Sequence, residues 1–218
     1  MSTILRREIE MLKRLVLSVG AMVEDACAKA IHALNEKDEP LARSVIEADR
    51  EIDKMEVRVE EECMKILALH QPVAQDLRFV ISVMKMNNDL ERMGDLAANI
   101  AKRAVYISTH QSINLELDFP GMAKKSQSMV KRSLDSLVNA DSKAAQQVIK
   151  DDDEVDRMRK NMEEIVMNEL KHQPEHAEHL LKFASVARHL ERLADMATNI
   201  AEDVIYMVEG DIIRHQGS

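Results

Sequence analysis

The chain has 218 residues, 45% of them hydrophobic and 32% charged, with a formal net charge of −9, a balance that supports a packed core and excludes a disordered polyelectrolyte. Only 2% are aromatic, and five glycines and four prolines offer few turns, so the Met-, Leu-, Ala-, Glu- and Lys-rich remainder favours helix throughout. The acidic balance disfavours nucleic acid, because basic residues are interleaved with acidic ones along the chain instead of gathering into a patch.

The first helix is expected from about Thr3 to Glu36. Its apolar run Leu15–Val23 is too short to span a bilayer and is followed at once by Glu24 and Asp25, while Glu8, Glu10 and Lys13 interrupt what would be a signal peptide. A cytoplasmic protein is therefore expected. A second helix runs from about Asp38, a suitable N-cap with Pro40 in the first turn, to His70. Pro72 cannot donate to a preceding turn and opens a third helix, from about Pro72 to Thr109. On it Val80, Val83, Met86, Leu90, Met93, Ala97, Ile100 and Ala104 keep the three-to-four rhythm of one buried face. The polar stretch Ser108–Asp118 follows as a natural boundary. Three more helices are expected at about Pro120–Asp141, Ser142–His172 and Pro174–Gly210, the last with the stripe Phe183, Val186, Leu190, Leu193, Ala197, Ile200 and Val204. Cys27 and Cys63 fall inside helical patterns without metal-thiolate spacing and read as reduced core thiols.

The six helices are one unit of three written twice. Leu90-Glu91-Arg92-Met93-Gly94-Asp95 recurs a hundred positions later as Leu190-Glu191-Arg192-Leu193-Ala194-Asp195, and both copies run on to an Asn-Ile-Ala. Asp49, Glu51, Asp53 and Met55 recur as Asp152, Glu154, Asp156 and Met158, and His70-Gln71-Pro72 as His172-Gln173-Pro174. The expected fold is all-α, with two tandem, pseudo-symmetric three-helix bundles, residues 1–110 and 111–218.

The repeat also preserves acids. Asp49/Asp53, Glu91/Asp95, Asp152/Asp156 and Glu191/Asp195 are all spaced i, i+4, so each pair shares a helix face. Asp53 and Glu91 lie at similar distances from the His70–Pro72 turn, as do Asp156 and Glu191 from the second turn. A constant helical rise then sets each pair level with the other across its hairpin. Each half is expected to present four carboxylates in a shallow, solvent-facing patch. Two readings stand. A multivalent, oxygen-preferring cation compensates the charge, or Arg92, Arg192, Lys54 and Arg157 pair with the acids on a solvated face. Glu60, Asn99, Glu163 and Asn199 are candidate supporting groups that could ligate a metal or orient a carboxylate. Arg78, Arg188 and Arg6-Arg7 read as salt-bridging residues, and His172, His176 and His179 as exposed helix-end residues.

At His70-Gln71-Pro72-Val73-Ala74-Gln75-Asp76-Leu77-Arg78, Asp89-Leu90-Glu91-Arg92-Met93-Gly94-Asp95 and Asn199-Ile200-Ala201-Glu202-Asp203-Val204-Ile205-Tyr206 the sequence resembles the PhoU family of phosphate-signalling regulators, over nearly its whole length. The resemblance implies tandem three-helix bundles and a non-enzymatic, cytoplasmic negative regulator of phosphate uptake. It further implies partners in the ATPase component of the high-affinity phosphate ABC transporter and in a phosphate-responsive sensor histidine kinase. Contact with the membrane would come through those partners, and a homodimer is compatible with it. It implies multinuclear iron or zinc on Asp49, Asp53, Glu91, Asp95, Asp152, Asp156, Glu191 and Asp195. The chain departs from strict duplication at Ala194, opposite Gly94, and at Arg159, opposite Glu56, so the two sites are expected to differ. With no Gly-rich phosphate loop, direct phosphate sensing would need a bridging metal. A di-metal store or enzyme is the alternative, but its Glu-x-x-His signature occurs only at Glu169–His172, with Leu67 where the first half needs glutamate. A purely structural helical module is the other.

Overall fold

A computed structural model describes residues 3–110, 113 and 115–210. Its helices are α1 (Thr3–Glu36), α2 (Glu39–His70), α3 (Ala74–Ser108), α4 (Phe119–Asn139), α5 (Ser142–His172) and α6 (Ala177–Glu209). The chain ends, from 1 to 2 and 211 to 218, and three positions of the expected boundary (111, 112 and 114), lie outside the described residues.

Helix ends follow local chemistry. Asp38 caps α2 by accepting from Leu41 N at 2.9 Å, and Asp141 caps α5 by accepting from Lys143 N and Ala144 N at 3.1 and 3.0 Å. Before each cap, a residue in the left-handed region, Lys37 at φ 55° and Ala140 at φ 51°, closes the preceding helix. The next amide then reaches back into that helix, Asp38 N to Ala33 O at 3.0 Å and Asp141 N to Ser136 O at 2.9 Å. The same tight link joins the first two helices of both halves.

The other turns differ from expectation. Gln71 is left-handed and Val73 extended, so α3 begins at Ala74 and not at Pro72. In the second half Pro174–His176 forms one 3-10 turn before α6 begins at Ala177.

Within each half the first helix packs on both others, and the second and third form the antiparallel hairpin, giving two tandem three-helix bundles. The halves meet where α3 packs on α6 and α1 on α4, and one continuous apolar core runs through both. Every member of the α3 stripe from Val80 to Ala104 is at most 1% exposed. On α6 the stripe is equally buried from Val186 to Val204, with Phe183 at its half-buried margin. Gly20 marks the close approach of α1 to α4, since a Cβ there would stand 2.2 Å from Leu134 Cδ1.

Polar bonds fix the α3–α6 register. Arg78 Nε donates to Met207 O at 3.1 Å, Ser82 Oγ to Asp203 O at 3.4 Å, and Arg103 Nε to Ser185 Oγ at 3.3 Å. Positions rise on α3 as they fall on α6, so the helices are antiparallel. Arg78, read from sequence as a salt-bridging residue, instead serves a carbonyl in the last turn of α6, where intrahelical donors have run out.

Candidate metal centre

Asp49 and Asp53 project from the middle of α2, and Glu91 and Asp95 from the middle of α3. Asp49 and Glu91 are half-buried, while Asp53 and Asp95 are exposed. The two half-buried acids respond to the others. Burial holds the Asp49 carboxyl above the usual carboxylate range, with Asp95 and Asp53 adding to the rise and Lys102 opposing it. Glu91 is raised by burial and then by Asp95, Asp53, Glu56 and Asp49. The hairpin thus brings the two pairs together at one level, in a patch open to solvent.

The second half repeats the arrangement on α5 and α6. Asp152 is pushed up to about 6, first by burial and then by Asp195, Asp156, Asp153 and Glu191, and its Oδ1 is buried without a hydrogen-bond partner. Asp195 is raised by burial and Asp156, against the opposing charge of Arg192. Glu191 is raised by burial, but Arg159 pulls it back down. Arg159 Nε stands 2.8 Å from Glu191 Oε1, and its guanidinium also pairs with Glu163.

The supporting candidates separate. Glu163 is engaged by Arg159. Asn99 Oδ1 accepts from Lys102 at 3.5 Å, while Asn199 and Glu60 are exposed. Lys54 turns to Glu51 at 2.6 Å and not to a cluster acid. Two members stood out from sequence only as a departure from the repeat: Glu56, which acts on Glu91, and Arg159, which pairs with Glu191. The signal for both was the i, i+4, i+7 stripe of Asp49, Asp53 and Glu56, and of Asp152, Asp156 and Arg159. Gly94 also has a local role, because a Cβ there would sit 3.2 Å from Asp49 Oδ1 and 3.0 Å from Ile52 Cδ1.

The histidines correct another expectation. His172 is exposed, but His176 is half-buried and His179 is only 6% exposed. The His179 ring sits 5.1 Å from Phe183 and 5.9 Å from Tyr106, centroid to centroid, with Nε2 buried. Burial, followed by His110, His176 and Lys37, keeps it below the usual histidine range. Cys27 and Cys63 are free and buried, and burial pushes both thiols up to about 12.

The donor chemistry fits a hard cation, since the cluster donors are all carboxylate oxygens, and burial first and neighbouring acids second disfavour their ionised form. Among the described residues, however, no three Asp, Glu, His or Cys side chains already converge as a ligand set, so a cation would have to draw the acids together.

The PhoU domain model matches the chain twice, at residues 16–104 and 119–204, one match on each half and each spanning its carboxylate pairs. The chain belongs to the PhoU family. It is 38% identical to the phosphate-specific transport system accessory protein PhoU homolog of Aquifex aeolicus, over 96% of this chain and 95% of that protein. The homolog from Pseudomonas aeruginosa is 36% identical over 96% of this chain and 87% of its own. Among solved structures, PhoU from Pseudomonas aeruginosa superposes with a TM-score of 0.89 at 36% identity, covering 94% of this chain and 99% of that one. The phosphate transport system regulatory protein PhoU from Streptococcus pneumoniae gives the same TM-score at 31% identity, over 96% and 99%. The tandem bundles are thus the PhoU fold over essentially their full length.

Proposed function

We propose that this PhoU-family protein is a negative regulator of phosphate uptake and phosphate-starvation signalling. The observation that carries the reading is the doubled PhoU match together with near full-length identity to accessory proteins of the phosphate-specific transport system. The chain acts by contact, without catalysing a reaction. It joins the ATPase component of the phosphate ABC transporter to a phosphate-responsive sensor histidine kinase and restrains both when phosphate is plentiful. No helix among the described residues is long and apolar enough to cross a membrane, which suits a protein that reaches membrane components from the cytoplasm through its partners.

The carboxylate clusters are the proposed cation sites, with Asp49, Asp53, Glu91 and Asp95 in one half and Asp152, Asp156, Glu191 and Asp195 in the other. A bound iron, zinc or other oxygen-preferring cation would supply positive charge and cross-link the second and third helices of its bundle. The fold keeps Asp49, Glu91, Asp152 and Glu191 half-buried beside acids that repel them, so that a cation would relieve repulsion already present in the fold.

Deleting the gene in its host and measuring phosphate-starvation gene expression and phosphate uptake in phosphate-rich medium tests the regulatory reading. Derepression of both is expected, and unchanged repression would refute it. Metal analysis of protein purified without chelator or affinity metal tests the cation sites: Glu91→Ala with Asp95→Ala should lower the metal content.

A further inference from the structure

One of the charge reversals between the two copies of the repeat lies inside the acidic clusters. Glu56 follows Asp53 by three positions on α2, and Arg159 follows Asp156 by three on α5. The exchange of a carboxylate for a guanidinium shifts the local formal charge by two. In the first half Glu56 adds its negative charge to that felt by Glu91, and Asn87 Nδ2 donates to the Glu56 backbone carbonyl at 2.8 Å, fixing that turn against α3.

In the second half the equivalent position acts in reverse. Arg159 and Glu191 are 20% and 21% exposed at the side chain, and their contact spans from α5 to α6 at 2.8 Å. The same guanidinium pairs along α5 with Glu163. One cluster ligand and one supporting acid are therefore held by a cation that belongs to the chain. A guanidinium stays protonated at any pH a protein survives, and it carries no lone pair for a metal. A metal ion entering this cluster would have to break that pair and then remain beside the positive charge it displaced.

We infer that the two halves have parted in their cation chemistry: the α2–α3 cluster takes a hard divalent cation from solution, whereas Arg159 serves as the built-in counter-ion of the α5–α6 cluster and closes it to tight metal binding. The inference rests on the cation reading of the acidic clusters and narrows that reading, for tight binding, to the α2–α3 cluster. Three acids remain in the second cluster, Asp152, Asp156 and Asp195, and among the described residues no ion pair holds them, although the charge of Arg192 acts on Asp195. They form the latent part of a site that the loss of Arg159 would open.

The test is an Mn2+ titration of metal-free full-length protein, with free ion counted by electron paramagnetic resonance. The proteins are the wild type, Arg159→Glu, Arg159→Gln, Glu91→Ala/Asp95→Ala and Glu191→Ala/Asp195→Ala, each checked for helix content. The wild type should lose its tight Mn2+ on Glu91→Ala/Asp95→Ala and keep it on Glu191→Ala/Asp195→Ala. Arg159→Glu should add a second set of tight sites, binding at least tenfold more strongly than the wild-type second cluster. Arg159→Gln should fall between and stands in should the glutamate variant fail to fold. Equal loss from both double variants, or unchanged stoichiometry on replacing Arg159, would overturn the inference while leaving the cation reading intact. Absence of tight Mn2+ from every protein would overturn the cation reading and this inference with it.

Discussion

Removing the charge of Asp152 should stabilise the metal-free protein, because the fold ionises that carboxyl at a cost. Its pKa rises from 3.8 to about 6, driven by burial and then by Asp195, Asp156, Asp153 and Glu191. At about 1.4 kcal/mol per unit the shift corresponds to roughly 3 kcal/mol. Asp152 is only half-buried, so solvent screening brings the expected effect to about 1–2 kcal/mol. The folded pKa exceeds the unfolded one, so the folded state binds the proton more tightly. The group therefore costs nothing below about pH 4, and the wild type loses stability as pH rises through the window from 3.8 to about 6. Asp152→Asn abolishes that loss, and the Oδ1 it replaces has no hydrogen bond to forfeit. Urea unfolding followed by circular dichroism, with chelator present and pH stepped from 3.5 to 8, should show the variant more stable at pH 8. The corresponding rise in Tm is about 2–8 °C. The two proteins should converge toward pH 4. A variant no more stable than wild type at pH 8, or a gap that does not change with pH, would show that burial and the neighbouring acids do not raise this carboxyl.

His189 should show the opposite pH sign. Burial, then Arg103, Arg192 and Arg188, lower its pKa to about 4, so stability tied to the neutral ring is present above the unfolded value of about 6.5 and lost as pH falls toward 4. Between pH 7 and 4 the wild type should lose about 1–2 kcal/mol more than His189→Gln, allowing for partial exposure, and parallel losses would contradict this. Gly20→Ala gains about 1 kcal/mol of helix propensity in the middle of α1 but sets a Cβ 2.2 Å from Leu134 Cδ1, so denaturant unfolding should show less than that gain; a variant stabilised by the full amount would mean that α1 and α4 are not so close. Ala140→Gly should stabilise by about 0.5–1 kcal/mol, because relief of the left-handed strain at φ 51° exceeds the added unfolded-state freedom, and a destabilised variant would refute that balance.

What could be read from the sequence was what helical geometry repeats. The level placement of Asp49/Asp53 against Glu91/Asp95 needed only a fixed rise per residue and a turn of known position. The Asp38 cap and the burial of the α3 stripe were legible for the same reason, since their causes lie within one or two turns. The departures depend on contacts between distant segments. His179 is buried because Tyr106 from α3 comes to its ring, which no pattern near Pro174 announces. Arg78 finds a carbonyl on α6, and Arg159 finds Glu191, because a long side chain's target depends on interhelical phase and rotamer together. Of these, only Arg159 left a trace: it broke the repeat at a position on the acidic stripe.

The duplicated seam separates positions that can drift from those that did not. Lys85 and Ser185 occupy equivalent places, as do Arg103 and Asp203, and α3 meets α6 so that each place faces the other kind. At one end the contact is Lys85 Nζ to Asp203 Oδ1, 3.6 Å apart; at the other it is Arg103 Nε to Ser185 Oγ. The same geometric requirement is met by an ion pair in one copy and a neutral acceptor in the other, because any satisfied pair keeps the register. The carboxylates obey a different logic. Asp49, Glu91, Asp152, Glu191 and Asp195 all have raised pKa values, so each is less stable ionised in the fold than in the open chain. Acids held on both hairpins against their own repulsion call for a positive charge. Among the described residues an ion pair holds a cluster acid only where Arg159 stands at the position of Glu56, while Lys102 opposes the charge at Asp49 without pairing to it; on the cation reading proposed above, the first half is the cluster that takes its counter-charge from outside.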